Sequence, residues 1–157
     1  MYLASIILLL LILPVASIAL GLIAQPHADL LFLVGRWFVF WAGGVRLFLA
    51  GIRQTAKPGF TAAEIFELTD KGAEKIVREL GFANLTMGAL SILSIIQPAW
   101  VVPAALVSGL YYALAGIGHV RNSGRNAKQT FAMVSDLAVA IVLLGFVVVS
   151  LTGGHAI

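Results

Sequence analysis

Apolar residues gather into five long stretches, separated by short polar or basic connections. They cover 2–24, 30–52, 80–96, 100–118 and 130–151. A helix that crosses the hydrocarbon core of a bilayer needs about 20 mainly apolar residues, and each stretch meets or approaches that length. The third is the shortest and contains Asn84 and Thr86, so the pattern predicts four to five spanning helices. The first stretch has no basic leader and is longer than the apolar core of a secretory signal. It is read as a retained helix, bent at Pro14, where an amide donor is missing.

Between the second and third stretches the pattern changes. Ile65, Leu68, Gly72, Ile76 and Leu80 recur at helical spacing, while Glu67–Lys71 and Glu74–Arg78 are four-apart pairs of opposite charge. Thr61 followed by Glu64 has the spacing of a capping box. An amphipathic helix is expected over 61–79, on the cytoplasmic surface of the bundle; a solvated connector helix is the plainer alternative. No repeat or low-complexity linker divides the chain, so 1–157 is expected to be a single membrane domain. The predicted fold is an all-α integral membrane protein: a bundle of four to five transmembrane helices with one amphipathic cytoplasmic-side helix.

Composition supports this. Hydrophobic residues make up 61% of the chain and charged residues 11%, whereas a soluble domain carries about 25% charged residues. So few charges cannot coat a surface that faces water. The chain has no cysteine, which excludes disulfides, thiolate metal sites and cysteine nucleophiles. The formal net charge is +3, but the bases flank apolar stretches and form no aromatic-and-basic polar face, so nucleic acid is not an expected partner.

Those bases are placed asymmetrically. Arg53, Lys57, Lys71, Lys75 and Arg78 lie between the second and third stretches, and Arg121, Arg125 and Lys128 between the fourth and fifth. The remaining connections and the C-terminal tail contain no Lys or Arg. With five spans, the positive-inside rule puts the N-terminus in the cytoplasm and the C-terminus outside the cell inner (plasma) membrane. Trp100 then falls where an outer aromatic belt is expected.

Three charges lie within apolar stretches: Arg36 and Arg46 in the second, Asp136 in the fifth. A bare charge at the bilayer centre costs at least about 2.5–3.5 kcal/mol, so such groups must snorkel, pair or face a polar cavity. Arg46 and Asp136 each lie six residues inside their stretch, about 9 Å from the cytoplasmic boundary at 1.5 Å per residue. An Arg46–Asp136 ion pair is expected. Glu79, Asn84 and His119 fall near that level, with Gln129 and Ser135 close by in sequence to Asp136. Arg46, Glu79, Asn84, His119 and Asp136 therefore form a candidate polar cluster. It is either a ligand pocket open to the cytoplasmic leaflet or an interhelical clasp. Arg36, nearer the outer face, has no acid at its depth except Asp29 one loop away, and is expected to snorkel or to meet a lipid phosphate or a partner subunit.

Arg121, Arg125 and Lys128 are candidate contacts for lipid phosphate, with a plain positive-inside anchor as the alternative. Gly43, Gly44 and Gly51, and Gly109, Ala113 and Gly116, form small-residue stripes of the kind that lets helices approach closely in lipid. His27, His119 and His155 lie at different depths, so neither haem nor a metal ion is expected. No phosphate loop, dinucleotide fingerprint or serine elbow is present. No catalytic residue is assigned, and enzymatic activity is not the expected role.

From Arg46 onward the order of features resembles the DoxX-like family of small bacterial four-helix membrane proteins. The similarity rests on Arg-Leu-Phe-Leu-Ala-Gly-Ile-Arg-Gln (Arg46–Gln54) and the Pro58–Phe60 junction. It also rests on Glu-Leu-Gly-Phe-Ala-Asn-Leu-Thr-Met-Gly (Glu79–Gly88) and on Gly118-His119. It covers about residues 30–151; the first apolar stretch and the basic connection at 53–78 depart from that pattern. An uncharacterised relative of that family fits equally. The resemblance implies association with membrane redox complexes or quinone-linked chemistry. Three functions follow as expectations: an accessory or binding subunit of a membrane complex, a lipid- or quinone-binding redox component, and a small proton-coupled transporter using Asp136 and His119. The expected partners are membrane lipids and either further copies of the chain or other subunits of a complex.

Overall fold

A computed structural model of the chain describes residues 2–65, 68 and 70–153, without the side chains of Tyr2, Leu3, Glu64, Ile65 and Lys128. Six helices follow one another: α1 (Ala4–Ala24), α2 (Leu30–Ala56), α3 (Pro58–Ile65), α4 (Lys71–Leu93), α5 (Val101–Arg121) and α6 (Ala127–Thr152). A 3₁₀ turn at Pro98–Trp100 leads into α5. All but α3 are long and apolar enough to cross a membrane. The protein is a multi-pass membrane protein with an all-helical fold.

The helix ends are satisfied locally, as hydrocarbon requires of backbone groups near it. The Asp29 carboxylate accepts from the amides of Leu31 and Phe32 and caps α2. Asn126 and Gln129 form a reciprocal capping box at the start of α6. Two stretches widen to π pitch, Leu8–Ile12 in α1 and Val39–Arg46 in α2. In the first, Leu13 N–H reaches back five residues to Leu8 O just before Pro14. The wide turn accommodates the proline ring and its missing donor without breaking the helix.

Glycines set the packing. On α2, a Cβ at Gly51 would lie 2.7 Å from Leu85 N and 2.8 Å from Gly81 O; on α4, one at Gly88 would lie 2.6 Å from Phe48 N. The backbones of α2 and α4 therefore touch. Gly109 and Gly116 of α5 instead receive the side chains of Leu144 and Leu137 of α6, and Gly35 of α2 receives the Phe146 ring of α6. Between lipid-solvated helices there is no hydrophobic drive to associate, so close backbone contact supplies the attraction. The buried core then runs along the bundle through Val39, Ala42, Leu47, Val101, Tyr112, Leu143 and Phe146. Helix α1 lies at the edge, and Trp41 Nε1 ties it to α2 by donating to Ser17 Oγ at 3.0 Å.

The segment between α2 and α4 differs from the expected single helix over 61–79. Pro58 opens a short helix, as its fixed φ favours at a first turn, so Thr61 lies inside α3 and not at its N-cap. A second helix starts at Lys71 and continues without interruption through the third span. Its buried stripe is Ala73, Val77, Gly81, Asn84, Gly88 and Ser91, whereas Ile76, on the expected inner face, is 73% exposed. The reason is the solvent. In lipid the bulky aliphatic side chain faces outward and the small residues face the neighbouring helix. Glu67 lies outside the described residues.

Gly51→Ala should lower the stability of the purified protein toward sodium dodecyl sulfate by about 1–3 kcal/mol, the usual effect of overpacking. Gly145→Ala, whose added Cβ would meet nothing within 4 Å, should leave it unchanged. Equal behaviour of the two variants would contradict the α2–α4 contact.

Candidate functional site

The wide turns of Val39–Arg46 end at Arg46, the last residue at π pitch in α2. Arg46 Nη2 donates to Asp136 Oδ1 of α6 at 2.9 Å, and the two side chains are 15% and 9% exposed. The pair lies deeper than the apolar stretches indicated, because both helices run past them. Arg46 is ten residues from Ala56 and Asp136 nine from Ala127, about 15 and 14 Å along the helix axes. The Arg46 guanidinium also lies over the Tyr112 ring, 5.0 Å from its centroid. Tyr112 is held in turn: its hydroxyl donates to Ala42 O at 2.6 Å. That carbonyl belongs to the π stretch of α2.

A second polar pair lies beside the first. Asn84 of α4 donates from Nδ2 to Gln54 Oε1 of α2 at 2.7 Å, and Asn84 is 2% exposed. Both pairs line one cavity of about 660 Å³ bounded by α2, α3, α4, α5 and α6. Tyr111, Tyr112, His119, Gln129 and Thr61 contribute further polar groups, and Leu47, Ala50, Leu80, Leu114, Ala115 and Ala132 the apolar walls. Arg53 and Asn122 mark the end nearest the basic connections. Phe60 of α3 and Leu114 of α5 belong to the lining yet are themselves 53% and 71% exposed. The cavity therefore reaches the outer flank of the bundle.

Of the five residues expected to cluster, Arg46, Asn84, His119 and Asp136 line this cavity, and Glu79 does not. Glu79 is exposed. It precedes Asn84 by five residues, which turns it about 140° away around α4. Arg121 is exposed. Arg125 is committed elsewhere: its Nη1 donates to Asn122 O at 3.0 Å and to Val120 O at 3.4 Å, closing the C-terminal end of α5. The Lys128 side chain lies outside the described residues, as does His155. Arg36 is tied down away from this cavity, donating from Nη2 to Ile95 O at 3.3 Å near the C-terminal end of α4 and stacking on Trp37.

Gln54, Tyr111 and Tyr112 are lining residues that a search for charges at membrane depth passes over. Gln54 had a signal of its own, since with Gly51 and Leu47 it continues the inner stripe of α2. Tyr112 belongs to the Gly109–Gly116 face of α5, which reads as packing until both helix neighbours are known, and Tyr111 lies away from that face. Among the described residues no three His, Asp or Glu side chains gather as a metal site would need.

No curated protein and no solved structure matches the chain. Residues 4–155 match a family model described as a family of unknown function, DUF6790. The match spans α1 as well as the bundle behind it, whereas the DoxX-like resemblance rests only on the residues quoted for it.

Removing one member of the buried ion pair, by Arg46→Met or Asp136→Leu, should cost about 3–5 kcal/mol in the same detergent titration. The double variant should recover most of that loss, because no uncompensated charge remains. Additive losses in the double variant would show that the two side chains do not interact.

Proposed function

The chain belongs to the DUF6790 family, and we propose that this member is a binding protein for an amphiphilic small molecule of the lipid or quinone class, held in the cavity between α2, α4, α5 and α6. One observation carries the reading. The cavity combines apolar walls with a few converging polar groups at its inner end, and it extends to exposed apolar residues on the bundle's flank. Ligand sites of about 300–1,000 Å³ are built in this way, with apolar area supplying affinity and a few placed hydrogen-bonding groups supplying orientation.

The binding mode follows from the lining. An apolar tail lies along Leu80, Leu114 and Ala115 toward the surrounding lipid. The head reaches inward, where Arg46–Asp136 and Gln54–Asn84 present their polar edges. Helix α3 covers the basic end through Phe60 and Thr61. The basic connections favour the cytoplasm for that end, with the N-terminus on the same side. In this role the protein is a membrane-embedded binding component, free to serve a larger redox or transport assembly.

Gly118 lines the cavity, and a Cβ there would meet nothing within 4 Å. Gly118→Trp should therefore occupy the cavity without disturbing the fold. Native mass spectrometry of the wild-type protein should show a bound amphiphile, at least about tenfold depleted in Gly118→Trp. Equal occupancy in the two proteins would exclude this cavity as the site.

The absence of cysteine permits a clean test of orientation. In intact cells an impermeant maleimide should label Gln97→Cys, and should label Gly124→Cys only after the cells are opened. The reverse result would invert the topology.

A further inference from the structure

The cavity wall is built in two levels. Arg46 and Arg53 on α2, Tyr112 and His119 on α5, and Asp136 and Gln129 on α6 all line it, and within each helix the two stand seven residues apart. Seven residues make nearly two turns, so each pair shares a face and is separated by about 10 Å along the axis. Between the levels each helix presents an alanine, Ala50, Ala115 and Ala132, which leaves the room. The deeper level is electrically closed, because Arg46 and Asp136 pair at 2.9 Å. The level at the basic end is not. It holds Arg53 and His119, and Asp136 is the one acid among the described lining residues. Of the Lys and Arg side chains described at that end, Arg53 alone lines the cavity. Arg53 is exposed and has no ion pair among the described residues, so its N–H fork is open. His119, half-buried, makes no side-chain hydrogen bond among them either.

We propose, resting on the amphiphile-binding reading, that the ligand is an acid: a chain-bearing carboxylate or phosphate whose anionic group pairs with Arg53 and accepts from His119. The rest of its head extends past the three alanines toward the deep pairs. Charge decides the level. An anion at the deep level would compete with Asp136 for Arg46 and leave a carboxylate uncompensated, which costs far more than a hydrogen bond returns. At the basic level no carboxylate competes. A guanidinium offers two parallel N–H groups to a carboxylate or phosphate, and an imidazole keeps an N–H donor in either protonation state. An ammonium head would meet Arg53 as a like charge. The neighbouring walls are apolar, through Leu80 and Leu114, so the pairing is less screened than at an open surface. Arg53 still reaches water, which holds the gain to that of one charge-assisted hydrogen bond.

The test uses the full chain in nanodiscs of phosphatidylcholine, a lipid without net charge. Dodecan-1-ol bearing a mid-chain diazirine is photolysed in the sample, and the labelled peptides are mapped. Labelling should fall on α2, α4 and α5. Dodecyl phosphate and dodecanoate should suppress it at about tenfold lower mole fraction in the bilayer than unlabelled dodecan-1-ol, the ratio expected for one charge-assisted hydrogen bond. Arg53→Gln should bring both acids to the potency of the alcohol and leave the alcohol unchanged, whereas Arg53→Lys should keep the acids ahead. Sodium phosphate, matched in ionic strength to sodium chloride, should not suppress labelling; if it did, the site would take a free anion and the chain-bearing acid would be refuted. Equal potency of acids and alcohol against wild type, with labelling still in the cavity, would overturn the acid assignment and leave the binding site standing. Labelling spread evenly over lipid-facing residues would overturn the site itself. The wild-type order of competitors decides the matter even if Arg53→Gln does not fold, and a folded Arg53→Gln that keeps the acid preference would also refute the assignment.

Discussion

Hydrocarbon offers no partner to a charge, and the consequence in this protein is a guanidinium and a carboxylate that must find each other across the bundle. Arg46 is on α2 and Asp136 on α6, helices separated in the chain by residues 57–126, which loop out through α4 and back through α5. Their contact fixes the rotation of both helices, because either one turned by a third of a circle would put a charge into lipid. Tyr112 of α5 joins the same arrangement, its ring under Arg46 and its hydroxyl on Ala42 O. Three of the five spans are thereby aligned by one group of polar atoms.

The other constraint is close approach of neighbouring helices at their glycines. Gly51 and Gly88 draw α2 against α4, and Gly109 and Gly116 draw α5 against α6. The two tight pairs leave room where they meet at the basic end, since α2 touches α6 through Arg46–Asp136 there, at side-chain length. At the other end Gly35 accepts Phe146 and closes the gap. A cavity at one end and a filled core at the other follow from where the glycines sit. Buried hydroxyls join the middle, with Ser91 and Ser108 Oγ atoms 3.2 Å apart beside Gly43.

Much of this was legible in the chain. The five spans follow from apolar length, and the Arg46–Asp136 pair follows from two embedded charges at equal depth; both rest on large energies that leave few alternatives. What escaped involves smaller differences. The helical periodicity around Ile76 marks two candidate faces, and choosing the inner one requires knowing that lipid, not water, lies outside. Glu79 shares the depth of the cluster but not its azimuth, which position along the chain does not fix until the inner face of α4 is known. Arg125 resembles a phosphate ligand by type, yet its guanidinium closes the end of α5. Gln54 and the tyrosines carry no charge, so their burial at membrane depth costs too little to mark them in the sequence. The DUF6790 match places the whole chain in one family and adds α1 to the unit that must be explained, though no function comes with it.

The π stretch Val39–Arg46 has a consequence for how the sequence can vary. Each wide turn holds a residue more than an α-turn of the same rise, so this part of α2 contains slack in its winding. Excising one residue there would let the helix rewind to ordinary pitch while everything beyond it keeps its azimuth, because the wide stretch gives up the residue it holds in excess. Arg46 would still face Asp136, and Gly51 would still meet Leu85. Upstream of Val39 and downstream of Arg46 the helix is conventionally wound, and a deletion there would rotate everything that follows by about 100°. The wide stretch is thus the one length of α2 that tolerates a shortened chain without redesign of the helices it positions.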